Sequence, residues 1–180
     1  DGDHFWVGSM TGLLLFSKHT KQFSQHPLVK DNPELSGVLI NNMFRDSFDR
    51  VWIATEKGIF LYNGEKTIVP QTDPLSVNSP SYIIAYCIKE DTRKNIWIAS
   101  TNGLYQYTSN AAFNRRYTTH DGLPNNCIYG ILEDNMNRLW LSTNKGLSCF
   151  DIQTGKFHNY KREDGLSHNE FNQYAYCKGS

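Results

Sequence analysis

The chain has 180 residues, with 18 Lys plus Arg against 18 Asp plus Glu, and so no formal net charge at pH 7. A balanced charge without like-charge runs argues against a dedicated nucleic-acid surface and against a membrane-surface patch. No apolar stretch approaches the ~20 residues of a membrane-spanning helix, and no segment reads as a signal peptide.

The chain starts at Asp1-Gly2-Asp3, which reads as the turn before a strand, so a mature or excised piece of a longer protein is expected. A strand over 5–9 carries Trp6, and two more strands complete a three-strand unit at about 1–23. A polar connection at 24–37 leads to a second unit at 38–69, with strands near 38–45 and over 51–55. A further connection at 70–81 precedes the third unit at 82–118, with strands near 82–89 and over 96–100. The connection 118–126 leads to the fourth unit at 127–160, whose pattern is the clearest. There Cys127 to Glu133, Arg138 to Thr143, Leu147 to Asp151 and Lys156 to Tyr160 read as strands. Asp134-Asn135-Met136-Asn137, Asn144-Lys145-Gly146 and Gln153-Thr154-Gly155 are the turns between them. After a connection at 161–172, Phe171 to Lys178 reads as the first strand of a further blade, and almost no helix is expected anywhere.

These units are copies of one another. Trp6, Trp52, Trp97 and Trp140 are spaced by 46, 45 and 43 residues. Six residues after each stands Gly12, Gly58, Gly103 or Gly146, and six before the last three stands Asp46, Asp91 or Asp134. Ser9, Thr55, Ser100 and Thr143 follow three residues after the tryptophans, and Phe16, Tyr62, Tyr107 and Phe150 ten residues after them. A repeat of roughly 40–50 residues built from four short strands is the signature of a propeller blade. The fold class expected is therefore all-β, a β-propeller fragment spanning 1–180, made of four repeat units with four-stranded antiparallel blades. The tryptophans are expected to fill the space between blades. The glycines reverse the chain between second and third strands, and the aspartates bond backbone amides in the hairpin between first and second strands.

In such a blade the turn between second and third strands shares a face with the connection to the next blade. This connection face holds the long polar segments, where function usually resides. Asn102 and Asn144 lie in its short turns, and Tyr82, Tyr86, Asn41 and Tyr129 lie on first strands near the axis. Two connections are near copies, Asp121-Gly122-Leu123-Pro124-Asn125-Asn126 and Asp164-Gly165-Leu166-Ser167-His168-Asn169. Their recurring residues either form a bend into the next strand or turn Asn125, Asn126, His168 and Asn169 toward a polar ligand. Cys87, Cys127, Cys149 and Cys177 show no C-x-x-C spacing and read as small sheet residues, with disulfides left open. No nucleophile elbow, P-loop or zinc-protease motif is present. No catalytic residue, metal site or cofactor is expected.

The segment Arg138-Leu139-Trp140-Leu141-Ser142-Thr143-Asn144-Lys145-Gly146-Leu147 resembles the repeats of the two-component regulator propeller family. Asp121-Gly122-Leu123-Pro124, Asp164-Gly165-Leu166 and Asn169-Glu170-Phe171-Asn172 add to the likeness, which weakens over 24–45. The resemblance implies the periplasmic sensor region of a hybrid two-component histidine kinase of Bacteroides-like bacteria. Its expected partners are an oligosaccharide ligand and the remaining blades and domains of the parent sensor; apart from the resemblance, the exposed blade faces of an open array make a second copy of the chain a further expected partner. The alternatives are a non-catalytic scaffold or protein-interaction propeller and, more remotely, a lyase-like propeller enzyme.

Overall fold

The predicted strands are rich in apolar, aromatic and β-branched residues, and Gly or Asp stands where the chain must reverse; the computed structural model follows that pattern. It describes residues 2–64, 67–68, 83–173 and 177. The first blade has three strands, β1 (His4–Ser9), β2 (Gly12–Ser17) and β3 (Phe23–Gln25). The second comprises β4 (Ile40–Arg45), β5 (Val51–Thr55), β6 (Gly58–Tyr62) and β7 (Thr67–Ile68). The third comprises β8 (Ala85–Glu90), β9 (Ile96–Ser100), β10 (Gly103–Tyr107) and β11 (Phe113–Tyr117). The fourth comprises β12 (Ile128–Glu133), β13 (Arg138–Thr143), β14 (Gly146–Asp151) and β15 (Lys156–Tyr160). Within every blade sequence neighbours pair antiparallel, in simple chain order. Among the described residues the only α-helix is the single turn α1 (Leu28–Asp31), in the connection between the first two blades.

The chain divides into two compact units, Asp1–Ile84 and Ala85–Ser180. In the first, Leu13 of blade 1 packs in one core with Ile40, Ile53 and Phe60 of blade 2. The approach is close: a Cβ built on Gly8 would lie 2.7 Å from Ile40 Cγ2. In the second, Trp97 and Tyr117 of blade 3 pack on Leu139 and Phe150 of blade 4, with Phe157 at the margin. Trp97 is fully buried there, its ring 5.6 Å from that of Phe150.

The repeated polar residues hold the hairpins. Asp46 Oδ1 accepts from the backbone N–H of Phe48 and of Arg50, while Oδ2 accepts from Arg50 Nε and Trp52 Nε1. Asp134 repeats this with Met136, Arg138 and Trp140, and Asp91 with Arg93, Asn95 and Trp97. The expected bonds to backbone are present, and the six-residue spacing adds one to the indole. Ser9, Thr55, Ser100 and Thr143 each donate a hydroxyl to the carbonyl of the glycine three residues on.

Trp52 and Trp97 are fully buried, and Trp140 is less so. Its ring is only half buried and stacks on Tyr160 at 5.6 Å, because no blade among the described residues covers that face. The expected first strand at 171–178 is not seen at 171–173, which are coil and turn; 174–176 and 178 lie outside the described residues, as do 70–81.

The glycine turns give a direct test. Gly146 has φ +106°, and a Cβ there would run into the Tyr160 carbonyl oxygen. Gly155 has φ +68° with open space around it. Gly146→Ala is expected to lose roughly 1–3 kcal/mol in urea unfolding, from left-handed strain plus the clash, and Gly155→Ala less. Equal losses would remove the clash from the explanation.

Candidate functional site

The first strand of each four-stranded blade is bent at one phase, eleven residues before its tryptophan. Pairing passes from Ile40↔Thr55 to Asn42↔Ala54, from Ala85↔Ser100 to Cys87↔Ala99, and from Ile128↔Thr143 to Gly130↔Ser142. In each case one extra residue stands out of register: Asn41, Tyr86 or Tyr129. A bulge of this kind re-aims its side chain away from the alternating pattern of the strand.

In the second unit two bulges meet. The rings of Tyr86 and Tyr129 lie 5.3 Å apart at 48°. Tyr129 donates its hydroxyl to Asn144 Oδ1 at 2.8 Å. Asn144 is placed by the β13–β14 turn, where its backbone N–H donates to the Cys127 carbonyl. The Cys127 side chain hydrogen-bonds the Tyr129 hydroxyl and, with burial, pushes the phenol up to about 12. Burial also raises the Tyr86 phenol, with a smaller contribution from nearby Cys127, against an opposing hydrogen bond from Gln173. Both hydroxyls are thus neutral at physiological pH. The result is a half-buried pair of aromatic faces edged by uncharged hydrogen-bonding groups.

Asn41 is buried on its own bulge in the other unit, and Tyr82 lies outside the described residues. Asn102 is half buried in the β9–β10 turn, where its backbone N–H donates to Ser100 Oγ. Asn125 Oδ1 accepts from the Cys127 N–H, Asn126 Oδ1 from Thr119 N–H and Asn169 Oδ1 from Arg162 N–H. Asp121 and Asp164 cap the same loops at their starts, bonding Thr118 N–H and Lys161 N–H, and Gly122 and Gly165 follow with φ +112° and +103°. Asp, Gly and Asn therefore close one loop twice, which accounts for the near-copy connections. His168 is exposed beside this loop.

Cys127 and Gln173 were not among the residues expected at the site. The only sequence signal for Cys127 was its place two residues before Tyr129, and Gln173 had none. Among the described residues no three His, Cys, Asp or Glu side chains converge as a metal site, and no helix is long and apolar enough to cross a membrane.

The capped loop and the blade after it decide the family. Residues 122–145, from the loop glycine through the β13 tryptophan to the β13–β14 turn, match the family described as two component regulator propeller. This unit is a two component regulator propeller repeat. Histidine kinase P4 of Formosa agariphila is 30% identical over 127 residues, 67% of this chain and 9% of the kinase. Two extracellular domains assigned to hybrid two component systems of B. thetaiotaomicron, BT3049 and BT4673, superpose with TM-scores of 0.73 and 0.69. They are 20% and 19% identical; the match covers 93% and 91% of this chain but only 23% and 24% of theirs. The propeller repeats of this chain thus span a small part of the proteins they resemble. The bulges lie in this frame too: Tyr129 falls inside the matched repeat, and Tyr86 is its counterpart one blade earlier.

Proposed function

We propose that this propeller segment belongs to the ligand-sensing region of a hybrid two-component sensor, held on the periplasmic side. The segment itself carries no catalysis; Tyr86 and Tyr129 contact a neutral polar ligand, and an oligosaccharide has the matching chemistry. The observation that carries the reading is the placement of these two rings side by side by equivalent bulges on successive blades. Sites for small molecules combine apolar and aromatic walls with a few fixed polar groups. The ring faces suit the C–H face of a sugar, while the Asn144 and Gln173 amides and the two neutral phenols suit its hydroxyls. A charged ligand would leave its charge uncompensated here. The likeness to extracellular domains of hybrid systems supports a sensing role in the parent protein.

The test is calorimetric titration of the intact extracellular region with a panel of oligosaccharides. Tyr86→Ala and Tyr129→Ala are each expected to weaken binding at least ~10-fold, as anchoring aromatic residues do. Asn126→Ala, which removes the acceptor of the Thr119 N–H within its own loop, is expected to change stability rather than affinity. Binding that survives both tyrosine changes would move the ligand elsewhere. No binding by the unaltered region would favour the scaffold reading.

A further inference from the structure

In blades 1, 3 and 4 the residue twenty places after the tryptophan packs against that tryptophan. In blade 3 it is Tyr117, 5.9 Å from Trp97, and in blade 4 Tyr160, 5.6 Å from Trp140. A tyrosine keeps its proton near neutral pH. Blade 1 puts His26 at this place, with its ring 4.2 Å from that of Trp6 and at 61° to it. Histidine is the side chain whose ordinary charge change falls between pH 5 and 8.

The His26 imidazole is held as a neutral acceptor. It is only 7% exposed. Its backbone N–H donates to the Leu13 carbonyl of β2, and its Nδ1 accepts from the Leu28 N–H at 3.2 Å. Leu28 opens α1, and Val29 of that turn and Leu35 beyond it are buried in the core shared by blades 1 and 2. An imidazolium has no acceptor, because both ring nitrogens carry protons. Protonation therefore removes the bond that holds the start of α1 and leaves a charge in the core margin. The Trp6 ring attracts a cation, but it does not replace the lost acceptor. Among the described residues the charged and titratable groups on the surrounding elements have other settings. Tyr62 meets Trp6 at 5.3 Å and bonds the Gly64 carbonyl, while Arg45 and Asp49 share a cleft with Trp6 and pair with each other at 2.9 Å. Lys30, Asp31 and Glu34 are exposed. Burial lowers the His26 imidazole from its ordinary value.

We propose that His26 is a pH-sensitive latch on the connection between blades 1 and 2: in mild acid it takes up a proton and releases α1 from the blade 1 tryptophan. The unfolded segment binds that proton more readily than the folded one. The stability His26 contributes is therefore complete above the ordinary histidine value of ~6.5 and is lost as pH falls below it. Blades 3 and 4, with tyrosine at this place, have no such step.

The experiment is hydrogen exchange of the 180-residue chain, read by mass spectrometry as protection at about one pH unit above and one below the ordinary histidine value. Protection over 28–36 is expected to fall in the acid sample by up to ~10-fold, the most that one unit allows. Peptides of β12, β13 and β14 in the same sample are expected to keep theirs. His26→Tyr, the residue of blades 3 and 4, is expected to abolish the difference over 28–36. If His26→Tyr does not fold, which circular dichroism checks, His26→Gln replaces it, keeping an acceptor without a titrating group. NMR titration of the unaltered chain reads the imidazole directly and is expected to place its midpoint below the ordinary value. A midpoint at or above that value would mean that attraction to the Trp6 ring wins, and it overturns the proposal. Protection over 28–36 that does not fall in acid, or that falls equally in the His26 variant, overturns it too.

Discussion

Trp97→Ala is expected to lower the stability of the chain by ~3–5 kcal/mol, the range for truncating a large buried aromatic residue. Trp97 has no exposed surface, its ring packs on Phe150 and Tyr117, and its indole N–H is bonded to Asp91 at 2.7 Å. The change opens a cavity in the joint between blades 3 and 4 and removes one donor from a buried carboxylate. Trp140 occupies the same phase with the same aspartate bond but is only half buried. Trp140→Ala is therefore expected to cost clearly less in the monomer, since less of its surface is withdrawn from water. Urea unfolding of both variants at low protein concentration, followed by far-UV circular dichroism, makes the comparison. Equal losses would mean that burial between blades is not what sets the role of the tryptophan.

Asp46→Ala is expected to cost a similar ~3–5 kcal/mol, because it breaks a buried ion pair and the hydrogen bonds around it. Its carboxylate is fully withdrawn from solvent, and the side chain of Arg50 is only 15% exposed. The substitution removes the acceptor of bonds from Arg50 Nε, the Trp52 indole N–H and two backbone N–H groups at once. The same bonds set a pH dependence. Burial pushes the Asp46 carboxyl up, but the bonds from Trp52, from Arg50 and from the backbone outweigh it and hold the group below the usual carboxylate range. Asp134 is likewise held low against burial, by Trp140, Arg138 and the backbone. In both, the unfolded chain binds the proton more readily than the folded one. The stabilisation is therefore complete above the unfolded value of ~3.9 and is lost as pH falls toward the folded value. Urea midpoints are expected to drop below about pH 4, and Asp134→Asn is expected to flatten part of that drop. An unchanged slope in Asp134→Asn would show that other carboxylates carry the acid sensitivity.

The blade was readable from residues because its parts are local. A tryptophan, a hydroxyl three residues later and a glycine three beyond that describe one strand and one tight turn, and strand alternation has a period of two. Those constraints act within about ten residues, so the second strands were placed closely. The Asp–Trp bond also spans only six residues; its spacing was visible, although the indole partner was not inferred.

The candidate site was readable only in part. Tyr86 and Tyr129 were placed near the axis by strand direction, but a bulge is a shift of one residue in pairing and leaves no compositional mark. Whether a tyrosine on that strand stays in register or is thrown out of it depends on the neighbouring strand. Asn126 and Asn169 show the reverse. By type they suited a ligand as well as a loop, and only the fold brought their oxygens onto N–H groups seven residues back. By itself the sequence determined the repeat, its turns and the residues that hold each hairpin, because these are short-range consequences of φ, of alternation and of side-chain reach. The tertiary structure alone decided which tyrosines meet, which asparagines are occupied and which aromatic rows are covered. Those outcomes depend on surfaces far apart in the chain, whose approach no local pattern encodes.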